Sequence, residues 1–365
     1  MNQELQEKLD LYRKQLDKLF RTSRLWPSDC EEEKARIYGA LRPPCDRLAL
    51  YRYYKLDANG YVLSALRHGK MVLSNPKIFN DPFDSLLYVD REKVREAQKS
   101  YPPERIVEEV NSIRAGNQPS SEFNEVLQSF FKKLTSLSEE DVKKALIRDP
   151  LQIANNTSLL LDKVIVYLRG VIRIACLSER CDSPLMWAHY ADCGRGICVE
   201  YDVLTTGELA HPVNDLSSDQ ECFLSMFPVI YTDERYDATH IAEDFIILSL
   251  AVDLGIENSC DFSKYDLLKE LKLSLYKSKD WEYEREWRLF VSPFLPTDPD
   301  RVFIDNHKMT SVILGNNMVD VQMESVLEAL RTYKMATQNT IKIKKMVVDT
   351  TSSKYNLKIE ECGEI

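Results

Sequence analysis

Glycine is scarce in this sequence, and what there is does not form a phosphate-cradling loop. Of 11 glycines in 365 residues, none stands in a G-x-G-x-x-G or G-x-x-x-x-G-K-[ST] pattern, so the Rossmann and P-loop readings lose their main signal. Paired cysteine spacing is absent too. The nine cysteines, an odd number, include no C-x-x-C pair, whereas disulfide scaffolds and zinc modules leave tighter spacing. The expectation is free thiols in a reducing cytoplasm, with Cys176 and Cys198 as small buried hydrophobes, and no bound metal. No apolar run reaches the eighteen or so residues of a membrane span, and the opening MNQELQEKLDLYRKQL has no apolar signal core. Basic runs are missing as well. A net charge of −10 gives no help to non-specific nucleic-acid binding.

What is present supports a folded globular chain. Apolar residues make up 44% and charged ones 29%, enough for a sizeable core. Leu5, Leu9, Tyr12, Leu16, Leu19 and Phe20 recur at helical intervals over 3–20. A second helix is predicted to start near Ser28 and Asp29, before Pro43 and Pro44 close this N-terminal arm. Strands are predicted at 48–56, 70–74, 172–177, 196–201, 228–231, 287–291, 311–314 and 340–348. Helices are predicted at 61–68, in a block over about 91–170, and at 239–254, 264–276 and 320–333. Blocks of strands and helices, rather than a regular βαβ series, predict an α+β fold with a mixed central β-sheet core. The arm would cover 1–46, and one domain 47–365 with a helical insertion at about 91–170.

Three stretches could carry chemistry. The first, Ser74 to Asp84, ends FNDPFD. Its bland reading is a helix start, with Asp81 as cap, Pro82 at the first position and Asp84 in the first turn. Its functional reading puts Asn80, Asp81 and Asp84 in a pocket. The second runs from Cys176-Leu177-Ser178-Glu179 to Gly196 and holds Trp187, His189 and Tyr190 on a short helix. A lone His in such a place is more often packed than catalytic, but polar-tipped aromatics at this density fit a ligand pocket. The third is Lys279-Asp280-Trp281-Glu282-Tyr283-Glu284-Arg285-Glu286-Trp287-Arg288-Leu289. As an extended chain it would place Glu282, Glu284, Glu286 and Arg288 on one face and Trp281, Tyr283, Arg285, Trp287 and Leu289 on the other. A solvated edge strand would tolerate three neighbouring carboxylates; a buried one would need them for something. The reading predicts that Asp81, His189 and this acidic face line one pocket.

Together, and in this order, FNDPFD at 79–84, CLSE at 176–179, MWAHYADCGRGICVEYD at 186–202 and WEYEREWRLF at 281–290 resemble a bacterial family, domain of unknown function 2971. The resemblance runs from about 48 to 315. The order of parts is also similar, more weakly, to that of ADP-ribosyltransferases, which place Arg or His, then Ser, then E-x-E on successive strands. That similarity implies a small-molecule or nucleotide ligand, NAD as substrate, and a defence or toxin-like role. Glu286 and Glu284 would be catalytic, with Glu286 the principal acid; Arg52 would grip the pyrophosphate and Ser178 would orient the glutamate. Trp187 or Tyr190 would stack on the nicotinamide, with His189, Asn80 and Asp81 beside it. The alternatives are a metal-dependent nuclease using Asp81, Asp84, Glu284 and Glu286 to hold Mg²⁺, or a non-catalytic ligand- or partner-sensing module.

Overall fold

Buried residues alternate with exposed or part-buried ones in Arg47–Tyr54 and Lys70–Ser74, and are nearly continuous in Arg173–Ser178 and Met309–Leu314, all strands of one mixed sheet. The computed structural model describes residues 3–22, 31–86, 88–100, 102–123, 125–146, 162, 165–167, 169–205, 208–210, 222–244, 247, 268–292, 299–305 and 309–365. The helix start expected near 28–29 lies outside these residues, as do most of 147–164 in the expected helical block, much of the helix expected at 239–254, and 264–267 of the one expected at 264–276.

The elements run as α1 (Gln3–Thr22), α2 (Glu31–Leu41), β1 (Arg47–Tyr54), α3 (Tyr61–Arg67) and β2 (Lys70–Ser74). Helices α4 (Arg91–Ser100), α5 (Pro103–Arg114), α6 (Glu125–Leu134) and α7 (Glu139–Leu146) follow as the insertion. Then come β3 (Arg173–Ser178), α8 (Pro184–Tyr190), β4 (Ile197–Leu204), β5 (Glu208–Ala210), β6 (Cys222–Pro228) and β7 (Ile230–Thr232). The chain continues through α9 (Lys269–Leu275), β8 (Tyr276–Ser278), β9 (Glu286–Ser292), β10 (Arg301–Asp305) and β11 (Met309–Leu314). It closes with α10 (Asp320–Thr337), β12 (Lys342–Val348) and β13 (Leu357–Glu364).

Among the described residues the main sheet has eleven strands, in the order β13-β12-β11-β4-β1-β3-β9-β6-β5, with β2 pairing both β3 and β10. The β11–β12 pair is parallel and its neighbours are antiparallel, so the sheet is mixed as expected. A small parallel pair, β7 with β8, stands apart. No described helix is long and apolar enough to cross a membrane.

The core shows how the arm and insertion relate to the sheet. Leu9, Tyr12, Leu16, Leu19 and Phe20 of α1 are buried in the same cluster as Leu50, Leu177 and Trp287 of the sheet. Helix α1 therefore packs on the sheet rather than standing away from it. The insertion keeps a small core of its own, built on Val110, Phe123, Phe131 and Leu134.

One detail of pairing places the site. Strand β1 meets β3 at a single pair, Tyr51 with Ser178, while β2 takes β3 at Ile174. The strands part beyond Tyr51, and a cleft opens between them.

Candidate active site

The cleft, of about 210 Å³, is lined by Arg52 on β1, Asn80 and Asp84 on the loop after β2, Cys176 and Ser178 on β3, Tyr190 on α8, Lys277 on β8, and Glu284 and Glu286. Register explains much of this. Ser178 pairs with Glu286 and Cys176 with Arg288, and since alternate residues share a face, these four look the same way. Trp287, fully buried, looks the other way.

The extended reading of 281–289 holds only from Glu286 onward. Residues Lys279–Glu284 form a 3₁₀ helix, with the Ser278 side chain accepting from Asp280 N as its cap. It ends at Arg285, which takes the left-handed conformation at φ 48°, ψ 50°. The physical reason lies in the sequence: Ser278 followed by an acidic first turn is a good helix start. Glu282 stays exposed, while Glu284 and Glu286 are each 3% exposed. Strand β9 is central, flanked by β3 and β6, so the carboxylates are buried rather than solvated.

Buried charge is tolerable only when paired, and here the pairing is dense. Lys277 Nζ lies 2.6 Å from Glu284 Oε2 and 2.9 Å from Glu286 Oε2. Arg288 Nε donates to Glu286 Oε1 at 2.7 Å, and its two terminal nitrogens grip the Asp84 carboxylate at 2.9 and 2.5 Å. Tyr190 Oη donates to Glu284 Oε1 and accepts from Asn80 Nδ2 at 3.2 Å. Ser178 Oγ donates to the Glu284 carbonyl and accepts from Arg180 N, so it holds the backbone of that glutamate. Glu286 N donates to Tyr231 Oη at 2.8 Å.

This environment drives the two glutamates apart. Burial, then the neighbouring Glu286 charge, raise Glu284 to about 7, against the pull of Lys277 and Tyr190. Burial would also raise Glu286, but Arg288 and Lys277 outweigh it and hold that carboxyl far below the usual carboxylate range. Burial would lower Lys277, yet Glu286 and Glu284 keep it raised and charged. A pair split in this way supplies one permanent anion and one group that exchanges a proton near neutrality.

Of the residues singled out from sequence, Arg52, Asn80, Asp84, Ser178, Tyr190, Glu284 and Glu286 line this cleft. The others lie elsewhere. Trp187 is buried beneath it, edge-on to Tyr53 at 5.3 Å and donating to Cys181 O. His189 is exposed, with Nδ1 2.9 Å from Tyr283 Oη. Asp81 lines a neighbouring cleft with Phe83, Arg235 and Tyr276, a cleft that also touches Lys277. Asp81 caps no helix. Its Oδ1 accepts from Phe83 N in a tight turn, and the left-handed Ser85 (φ 51°) ends it, aiming Asp84 at Arg288.

Sequence reasoning missed Lys277 entirely, and placed Arg288 only on the same face as the acids. The Ser278 cap was the available signal, because a 3₁₀ turn after it folds Glu284 back onto the residue before the cap. Arg52 donates from Nη1 to Val72 O at 2.6 Å and lies over the Tyr54 ring at 5.1 Å. Glycines support the frame: a Cβ on Gly196 would stand 2.1 Å from Tyr54 O, so the turn after α8 packs directly on β1. Among the described residues no cluster of His, Cys, Asp and Glu is arranged to hold a metal.

No curated protein and no solved structure matches the chain significantly. The family match takes in the stretches that begin at Met186 and Trp281, and FNDPFD and CLSE lie outside it. Residues 186–289 match the family described as protein of unknown function (DUF2971), the family that the motifs resemble.

Proposed function

We propose that the cleft is the active site of an NAD-consuming enzyme, an ADP-ribosyltransferase or NAD glycohydrolase acting on a soluble nucleotide in the bacterial cytoplasm. The observation that carries this reading is that Arg52, Ser178, Glu284 and Glu286, contributed by or abutting the neighbouring strands β1, β3 and β9, line one cleft. The described free cysteines, Cys45, Cys176, Cys181, Cys193, Cys198 and Cys362, fit a reducing compartment.

In this reading the bond between ribose C1′ and the nicotinamide nitrogen breaks, and its electron pair leaves with nicotinamide. Positive charge develops on the ribose, as in glycoside hydrolysis. Glu284, half ionised near neutrality, stabilises that charge and then takes the proton of the attacking water or acceptor. Glu286 remains an anion and fixes Lys277 and Arg288, so the roles divide the opposite way from the sequence expectation. Arg52 faces the pyrophosphate as a planar donor, and Tyr190 aligns Glu284. The metal-dependent nuclease reading is weaker, since the Arg288 guanidinium already lies between Asp84 and Glu286.

Release of nicotinamide from NAD, followed by chromatography with and without protein acceptors, tests the proposal. The expected result is turnover that Glu284→Gln lowers about a hundredfold or more. Wild-type protein that leaves NAD intact under all these conditions overturns it, and a ligand-sensing module becomes the better reading.

A further inference from the structure

We propose that Glu179 and Arg285 are positioning residues, and that with Asp10 and Arg13 they tie helix α1 to the turn that carries Glu284 and Glu286. The argument begins at Arg285. It sits between the two cleft carboxyls in a left-handed conformation that a residue with a side chain adopts only when its surroundings demand it. Glycine would adopt it at lower cost, and what the Arg285 side chain adds is read from its contacts.

What it does is clear from its contacts. Arg285 Nε donates to Glu179 Oε2 at 3.0 Å and Nη2 to Asp10 Oδ1 at 2.5 Å. Glu179 is a buried carboxylate outside the cleft, and its side chain is 0% exposed. Besides Arg285 it receives Arg13 Nη2, Gln6 Nε2 at 3.1 Å and Trp287 Nε1 at 2.7 Å. Two of these four donors come from α1 and two from the Glu284–Glu286 turn and strand β9. Backbone bonds stitch the same turn: Glu179 N donates to Arg285 O at 3.1 Å, and Arg285 N to Glu282 O at 3.2 Å. A buried charge with this many partners is costly to build and strongly orienting once built. Nothing in the proposed chemistry uses it. Its consequence is geometric: the turn cannot relax without breaking ion pairs to α1.

The groups that face Glu284 are Lys277 from β8, Glu286 from β9, Tyr190 from α8, Tyr283 from the 3₁₀ helix and Tyr231 from β7. None belongs to α1. A change on α1 therefore removes no group that faces Glu284, and a shift of about one pH unit or more needs the turn to loosen and water to enter.

The test is a carbon-13 NMR titration of the Glu284 carboxyl, identified by its loss in Glu284→Gln, in full-length Asp10→Asn and Arg285→Gly. It needs no substrate, so its result is separate from whether NAD is consumed. Asp10 is 44% exposed, so Asp10→Asn leaves no buried charge unpaired and is expected to fold. Glycine accepts the left-handed backbone, so Arg285→Gly removes the tether and leaves that conformation allowed. Both variants are expected to lower the Glu284 midpoint by about one pH unit or more, as the carboxyl gains water. A shift in Arg285→Gly alone supports the Glu179 tether and overturns the role of α1. Midpoints equal to wild type in both folded variants overturn the proposal.

Discussion

Replacing Glu284 by Gln should make the protein more stable at alkaline pH, although it removes a partner of a buried lysine. The carboxyl is buried and raised from an ordinary 4.5 to about 7, so the folded chain prefers its protonated form. A carboxyl with a raised folded value contributes fully below pH 4.5, where both states are protonated. That contribution is lost as pH climbs through 7, because the unfolded chain ionises freely and the folded one does not. A shift of about 2.5 units at 1.36 kcal/mol each sets an upper bound of about 3 kcal/mol on the loss. Glutamine copies the protonated shape and does not ionise; its one oxygen can accept from either Tyr190 or Lys277, and Glu286 still pairs with Lys277, so the variant escapes the loss. Urea unfolding of both proteins at half-unit steps from pH 5 to 8 reads the difference. Near pH 5 the two curves should almost coincide, and by pH 8 the variant should lead by up to about 3 kcal/mol. Parallel curves across this range would refute the assignment of Glu284 as the neutral-range group.

Glu286 should behave in the opposite sense. Its depressed value means that the ionised carboxylate stabilises the fold and that this stabilisation fades in acid. Glu286→Gln strips a partner from buried Arg288 and Lys277 and should cost about 3–5 kcal/mol in urea unfolding at pH 7; a cost below about 1 kcal/mol would show that the pair is not electrostatically important. Gly196→Ala should prevent the α8 turn from closing on β1, since its methyl would meet Tyr54 O at 2.1 Å. Poor soluble yield or a much lower melting temperature is expected, and a melting temperature within about a degree of wild type would contradict the close approach.

Local rules in the sequence were enough for several parts. The spacing of Leu9, Tyr12, Leu16 and Phe20 defines α1 and its buried face. Gly69 ends α3 in the left-handed region, and Ser183 followed by Pro184 starts α8 with a side-chain cap to Met186 N. These signals act within a few residues, so one sequence displays them. The mixed sheet also followed from blocks of strand-forming residues, but β5, β6, β8, β10 and β13 did not: Glu208–Ala210, Tyr276–Ser278 and Arg301–Asp305 are short, β6 meets the expected 228–231 strand only at Pro228, and β13, at one end of the strand order, has mostly exposed residues, which weakens the buried-face signal. The cleft was legible in most of its members, Lys277 excepted, and not in its wiring. Arg52, Ser178 and Glu286 could be named because their residue types suit one chemistry. Which acid stays charged could not, because it depends on Lys277 folding back across seven and nine residues and on Arg288 meeting Asp84 across 204. Asp81 and Asp84 are equally acidic in sequence; one left-handed residue, Ser85, and one buried guanidinium send only Asp84 to the site. Charge state and direction are set by what lies within a few ångströms in space, and only the tertiary structure decides that.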